Sequence, residues 1–413
     1  MRIAFIVNRF PRLSETFILN QITGLIDRGH TVEIFADRPS PDPTVHQDVR
    51  DYGLIGATAY YNSNLATPRP ARARLASAVT LLTEQGPRHP RPVVHALNPL
   101  RFGKRAVSLR MLHEITPFLR RGPYDLVHCH FGTSGVLGAF LQSIGALRAP
   151  LITTFYGHDI SSYVRAQGPG VYRELFRRGA LFLHISAYLR EKLLALGCPP
   201  ERTLLHRIGV DTARFSFAPR TLGPGEPVRL MTTARLVEKK GLEYSIRAFA
   251  LAAERHPGLR YRIVGDGPLR GRLQQLIAEL GLGECVELAG WRSQEEVRRM
   301  YAEAHLFVLA SVTAENGDEE GQGLVLQEAQ AMGLPVICTR HNGFPEGVRD
   351  GESGLLVPER DVEALAAAIT QLAACPERWP AMGRAGRAHV EAHFDNAALN
   401  DRLVEIYQSL QRS

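Results

Sequence analysis

Glu320-Gly321-Gln322-Gly323-Leu324-Val325-Leu326-Gln327-Glu328-Ala329-Gln330-Ala331-Met332-Gly333-Leu334-Pro335-Val336-Ile337 is the stretch whose reading decides the fold. The carboxylates Asp318, Glu319 and Glu320 lead into a turn that carries Gly321 and Gly323. An apolar helix follows from Leu324 to Met332, stopped by Gly333 and Pro335. A β-branched strand, Val336 to Thr339, comes next. Such a loop–helix–strand unit gathers backbone N–H groups and the positive end of a helix dipole where an anion can sit. Glu320 stands at the mouth of the turn, and Glu328 lies more than a turn into the helix. A phosphate on the N–H groups with a carboxylate on either side suits a nucleotide sugar, whose sugar and ribose hydroxyls the acids would take. An ordinary βαβ helix beside a solvated acidic loop explains the same stretch, and the stretch alone does not choose.

Upstream, the same rhythm recurs. Val228 to Ala234 reads as a strand leading through Arg235-Leu236-Val237-Glu238-Lys239-Lys240-Gly241 into a helix. Tyr261 to Val264 leads to Gly265-Asp266-Gly267-Pro268 and another helix; Val286 to Leu288 leads to Gly290-Trp291. Ser293-Gln294-Glu295-Glu296 is a capping-box pattern. In the first half, strands are expected at 2–7, 31–36, 126–130, 151–155, 181–185 and 203–206, with helices between them. Ser14 is expected to cap the first helix, with Glu15 and Thr16 in its first turn. Residues 37 to about 105 are rich in Pro and Arg and read as loops and short helices. Strands alternating with helices imply parallel sheets covered on both faces. The expected organisation is two facing doubly wound, Rossmann-like α/β domains with a cleft between them. They divide as 1–208, a linker at 209–227, and 228–395, with a last helix at 396–413 that crosses back to the first domain.

Composition sets bounds. The chain has 413 residues, 45% apolar and 22% charged, the profile of a globular protein with sizeable cores. No apolar run reaches the ~18–20 residues of a membrane span, and Ile3 to Val7 is too short for a signal peptide core. Cys129, Cys198, Cys285, Cys338 and Cys375 are scattered and lack metal-ligand spacing, which points to buried thiols in a reducing cytoplasm. Net charge is +7. Much of the excess lies in Arg69, Arg72, Arg74, Arg88, Arg91, Arg101, Lys104, Arg105, Arg110, Arg120 and Arg121, opposed by Glu84 and Glu114. That segment reads either as a surface for anionic lipid headgroups at the inner face of the cytoplasmic membrane or as solvated helix faces. Nucleic acid is disfavoured, because no aromatic-interleaved basic module is present.

Taken in order, these pieces resemble the retaining GT-B glycosyltransferases of family 4. The resemblance covers most of the chain and is carried by Ala234-Arg235-Leu236, Lys240-Gly241, Ile263-Val264-Gly265-Asp266-Gly267-Pro268, Gly290-Trp291, the Glu320/Glu328 pair and Gly354-Leu355-Leu356-Val357. Phe10-Pro11-x-x-Ser14-Glu15-Thr16-Phe17 and Gly317-Asp318-x-Glu320-Gly321 are similar to the branch that builds bacterial exopolysaccharides such as colanic acid.

The resemblance implies a nucleotide-diphospho-sugar donor, UDP- or GDP-linked, in the C-terminal domain. It implies a glycan or lipid-linked hydroxyl acceptor on the N-terminal domain, retention of configuration, no cofactor and no metal. Asp318-x-Glu320 is a poor imitation of a metal-binding DxD motif. Arg235 and Lys240 would meet the diphosphate, with the backbone of Gln322, Gly323 and Leu324. Glu328 would hold the ribose, and Glu320 and His158 would flank the transferred sugar as catalytic residues. Gly290, Trp291 and Arg292 would meet the base, and Ser14, Glu15 and Thr16 the phosphates or acceptor. Phe10-Pro11 stands where many relatives carry a Gly-Gly turn. Outside these roles, Trp291 reads equally as a core residue, His158 alternatively as a core or capping histidine, and Glu315 and Glu319 as solvated acids. Double displacement through Glu320 stays open beside front-face attack. The rival functions are a catalytically silent sugar-nucleotide-binding scaffold and a GT-B epimerase or phosphorylase.

Overall fold

The computed structural model describes residues 1–41, 45–62, 67–68 and 70–412. The first sheet holds β1 (Arg2–Arg9), β2 (Thr31–Arg38), β3 (Thr58–Tyr60), β4 (Leu126–His130), β5 (Leu151–Phe155), β6 (Leu181–His184) and β7 (Thr203–Leu205). Its order is β3-β2-β1-β4-β5-β6-β7, every pairing parallel. The second holds β8 (Arg229–Thr233), β9 (Arg260–Val264), β10 (Val286–Gly290), β11 (Leu306–Leu309), β12 (Val336–Thr339) and β13 (Gly354–Val357). Its order is β10-β9-β8-β11-β12-β13, again all parallel. The central strands are apolar throughout because helices cover both faces: Ile3 to Val7, Leu306 to Leu309 and Val336 to Cys338 are buried.

In each sheet the strand order reverses beside the first strand, between β1 and β4 and between β8 and β11. Loops leaving the carboxyl ends of the strands on either side of such a point diverge and open a crevice. In the second sheet those loops are the one after β8, which carries Arg235 to Lys240, and the one after β11, which carries Asp318 to Gly323. They touch at Gly241, a left-handed residue (φ 61°) where a side chain would strike the Ala310 carbonyl.

The last helix, Asn396–Arg412, leaves the second domain and packs on the first. Arg28 donates to Asp401 at 2.7 Å and to the Ala397 carbonyl at 2.8 Å. The Tyr407 hydroxyl meets His128 Nδ1 of β4 at 2.6 Å.

Two expectations need correction. The first helix spans Thr16–Asp27 with Glu15 at the N-cap position and no side-chain cap; Ser14 is exposed, and Glu15 instead pairs with Arg12 at 2.9 Å. Residues 37–105 are also more ordered than loops and short helices. They add the edge strand β3 and a 15-residue helix, Ala71–Gln85, that packs on Arg110–Arg120. The basic segment is partly neutralised, since Arg105 pairs with Glu114, Arg120 with Glu84 at 2.7 Å, and Arg121 with Glu33 at 3.7 Å. Arg69 lies outside the described residues.

Candidate functional site

Two short turns meet at the second switch point. The 3-10 turn Glu238–Lys240 buries both lysine side chains, and each meets a carboxylate of the Asp318–Glu320 turn. Lys240 Nζ lies 2.7 Å from Glu320 Oε2, and Lys239 Nζ lies 3.1 Å from Asp318 Oδ1 and 3.9 Å from Glu320 Oε2. Lys239 also donates to the Glu319 carbonyl at 3.1 Å. Arg235, exposed at the end of β8, adds its charge to the field on Glu320 and Lys240. Burial alone would raise the Glu320 carboxyl, but the Lys240 and Lys239 ammonium groups overcome it and hold the acid down to about 2. Asp318 behaves alike: burial opposes, His158 and Lys239 prevail, and its pKa falls to about 2. Burial lowers Lys240, with Glu320 opposing.

The backbone of the turn is fixed as well. Glu320 N donates to His341 Nε2 at 3.0 Å, and the Glu320 carbonyl accepts from Asn342 Nδ2 at 2.9 Å. His341 Nδ1 donates to Glu359 at 2.6 Å, which fixes its tautomer, because Nε2 must stay an acceptor for Glu320. Gly321 lies so close to the Tyr156 carbonyl, past the end of β5, that a side chain there would collide with it. His158 opens the 3-10 turn His158–Ile160 two residues on, 60% exposed, with Nδ1 3.8 Å from Asp318 Oδ1 and 2.8 Å from the Ser162 hydroxyl. It is not a core histidine. The buried Asp159 carboxylate holds this turn by accepting from the N–H groups of Gly132, Tyr156 and Gly157 at 2.8, 3.1 and 2.9 Å.

Gly323 is left-handed (φ 72°) and is the N-cap of the helix Leu324–Ala331. No acceptor among the described residues takes the N–H of Gly323, Leu324 or Val325, which leaves a positive helix end unfilled. The Gln322 side chain crosses to the first domain, accepting from Ile208 N and donating to Ile208 O, both at 2.8 Å. Glu328 accepts from the buried Tyr301 hydroxyl at 3.1 Å, and burial raises its carboxyl to about 7 against that hydrogen bond. Gly290, Trp291 and Arg292 stand at the carboxyl end of the edge strand β10, with no hydrogen bond to the lysine–carboxylate cluster. Trp291 is 51% exposed, so it is not a core residue. Ser14, Glu15 and Thr16 precede Phe17, whose ring packs 4.7 Å from that of Tyr156. No hydrogen bond or ion pair joins them to the lysine–carboxylate cluster.

The sequence matches the model of glycosyl transferases group 1 over residues 216–389 and that of the glycosyl transferase 4-like domain over residues 14–209. It is 39% identical to the putative colanic acid biosynthesis glycosyltransferase WcaL of Escherichia coli over 99% of this chain and all of the relative. The chain belongs to the group 1 glycosyltransferases. It is also 34% identical to the amylovoran biosynthesis glycosyltransferase AmsK of Erwinia amylovora over 99% of this chain and 100% of that protein. The structure of Anabaena HepE in complex with UDP-glucose superposes with a TM-score of 0.71 at 20% identity, covering 99% of this chain and 100% of that one. The two sheets and the returning helix are thus those of a GT-B glycosyltransferase.

For this glycosyltransferase, sequence reasoning placed Lys240 and Glu320 together and missed what fixes them. Asp318 stands out only as one of three acids in the turn, and Lys239, His341, Glu359, Asn342 and Tyr301 carry no local signal beyond their types. Glu319, expected to be a solvated acid, is only 3% exposed and bonded to the first domain. Glu315 is exposed, as expected.

The Glu328 carboxyl gives a pH test. Its pKa is raised in the fold, so between about 4.5 and about 7 the folded state binds the extra proton. Stability therefore falls as pH rises through that window and levels off above it, by roughly 3–4 kcal/mol. The urea midpoint of wild type should fall from pH 5 to pH 7.5 relative to Glu328→Gln; parallel curves would remove this assignment.

Proposed function

We propose that this protein is a retaining glycosyltransferase that moves a sugar from a UDP- or GDP-linked donor to a hydroxyl of a glycan or lipid-linked acceptor during exopolysaccharide synthesis. The observation that carries the reading is the Lys240–Glu320 pair, largely withdrawn from solvent, in the turn that leads into the helix Leu324–Ala331, with the charge of Arg235 acting on both partners. The printed roles of the WcaL and AmsK relatives support the polysaccharide part. In this reading the donor occupies the second domain (228–395), and residues 1–208 hold the acceptor.

Arg235 and Lys240 take the diphosphate, with the free N–H groups of Gly323 and Leu324 and the backbone of Gln322. These fixed cations and dipoles stabilise the charge that grows on the leaving phosphate, so no bridging metal is needed. Glu328 takes the ribose hydroxyls, the Gly290–Arg292 backbone the base edge, and Ser14, Glu15 and Thr16 face the acceptor. The acceptor oxygen attacks the anomeric carbon on the face the nucleotide leaves. The C–O bond to phosphate breaks, and the departing phosphate oxygen takes the acceptor's proton. Glu320, held ionised and paired, acts as a fixed negative charge beside the oxocarbenium-like centre, with His158 bordering the sugar. Its pairing with Lys240 and Lys239 ties up the oxygen that would have to attack, which disfavours a covalent glycosyl ester.

A thermal-shift screen against UDP and GDP, then nucleotide release from the matching sugars with and without EDTA, tests the reading. A raised melting point with one nucleotide and turnover unaffected by EDTA are expected. Binding without release would favour the scaffold.

The acceptor side adds a membrane contact. Of eight exposed large apolar side chains among the described residues, five lie in one segment: Leu75, Val79, Val94, Leu100 and Val107. Among them stand exposed Arg72, Arg88, Arg91, Arg101, Lys104 and Arg110. Exposed apolar side chains interspersed with cations along one segment suit an anionic bilayer surface, at about 1 kcal/mol per cation. No helix among the described residues is long and apolar enough to cross a membrane. The protein should float with phosphatidylglycerol vesicles, and Leu100→Asp with Arg101→Ala and Lys104→Ala should weaken this by on the order of tenfold or more. Equal flotation would remove the contact.

A further inference from the structure

The carboxylate next to Glu320 belongs to neither solvent nor its own domain. Glu319 Oε2 accepts from the Tyr188 hydroxyl at 2.9 Å, and Oε1 is taken by the Lys192 ammonium. Tyr188 and Lys192 lie one turn apart on the helix Ala187–Ala195 of the first domain, with the ammonium 4.9 Å from the tyrosine ring. The start of that helix is held by a second carboxylate from the other domain. Glu346 Oε1 accepts from Ala187 N at 2.8 Å, and Oε2 lies 3.6 Å from Arg207. Both acids reach the same helix, at successive turns.

We propose that Lys192 and Tyr188 are positioning residues that set Glu320 according to how the two domains are seated. The reading rests on the role given to Glu320 above. The link is short. The Glu319 side chain is held by the first domain while its carbonyl is held by Lys239 of the second. The peptide that follows carries Glu320, whose N–H is fixed by His341. If the helix moves away, the Glu319 carboxylate must follow it or give up both the Tyr188 and the Lys192 bonds. Either outcome tilts the peptide that aims Glu320. The Lys240–Glu320 alignment is then complete only when the first domain, with its acceptor, is docked. The sequence offers no hint of this, since Lys192 and Glu319 are 127 residues apart.

The test compares Tyr188→Phe, Lys192→Met, Lys192→Arg, Glu319→Gln, the pair Lys192→Met/Glu319→Gln, and Glu320→Gln. The donor is whichever of UDP-glucose, UDP-galactose and GDP-mannose the wild type turns over best. Lys192→Met is expected to lower kcat about 10- to 100-fold with the affinity for UDP or GDP within about threefold, because the phosphate-facing groups lie in the other domain. Tyr188→Phe, which removes one hydroxyl, should show a smaller loss of the same kind, and Lys192→Arg should restore most activity. The pair should be no slower than Lys192→Met alone, since both act through one bond. Small-angle scattering of ligand-free Lys192→Met should give a larger radius of gyration than wild type. Full kcat in Lys192→Met, or additive losses in the pair, would overturn the proposal. Full activity in Glu320→Gln would instead overturn the role of Glu320, while the scattering comparison still reports on the contact between domains.

Discussion

Glu320→Gln is expected to lower kcat by about 10²- to 10³-fold, with nucleoside diphosphate affinity changed less than about threefold. Glutamine keeps the shape and one acceptor but not the charge. In wild type that charge is present at every working pH, because Lys240 and Lys239 hold the carboxyl down to about 2. A fixed anion beside a carbon that becomes positive stabilises the transition state more than the ground state. Its loss therefore falls on kcat rather than on binding. Nucleotides do not need this side chain, since the cations and helix end that face the diphosphate remain. Initial rates beside calorimetric titration with UDP and GDP check both halves. Near-normal turnover would strip Glu320 of the role, and weakened nucleotide binding at normal kcat would move it to the phosphate side.

Lys240→Met should do the reverse and more. It removes a buried cation that is 2.7 Å from Glu320 and leaves that acid with Lys239 at 3.9 Å. Breaking a buried pair on one side costs about 3–5 kcal/mol where nothing replaces the partner. Lys239 should keep the loss near the lower end. Nucleoside diphosphate affinity should drop by on the order of tenfold to 10²-fold, the value of one charge-assisted hydrogen bond. The pH dependence carries a sign. The Glu320 pKa is depressed in the wild-type fold, so it adds stability that is complete above about 4.5 and is lost as pH falls towards about 2. The gap in stability between wild type and Lys240→Met should therefore be wide at pH 7 and narrow as pH falls towards 3. A gap independent of pH would mean the pair does not hold the turns together.

What was legible in the sequence was local. Arg235 and Lys240 follow the end of β8, and Glu320 comes just before the helix that begins at Leu324, in turns whose glycines and helix starts announce them. Glu328 follows from its position in the helix. The unreadable part depends on partners far along the chain: the Glu319 clasp, His341 on Glu320, and the Gln322 bridge to Ile208. The helix Ala71–Gln85 was hard to see for another reason. Ala78, Leu81 and Gln85 face inward while Leu75 and Val79 face out, so apolar side chains on both faces erase the helical period. Ser14 had the right chemistry for a cap, but the chain enters the helix one residue later, with Glu15 at the boundary.

The returning helix also orders events in time. The floor it lies on, at Gly24 and the Asn20 carbonyl, meets Asn400, 380 residues downstream. At about 5–20 residues per second, a nascent chain on the ribosome waits roughly 20–80 s between making that floor and making its cover. For that interval the first Rossmann-like half stands with an open flank, which a chaperone can hold until the helix Asn396–Arg412 has been made.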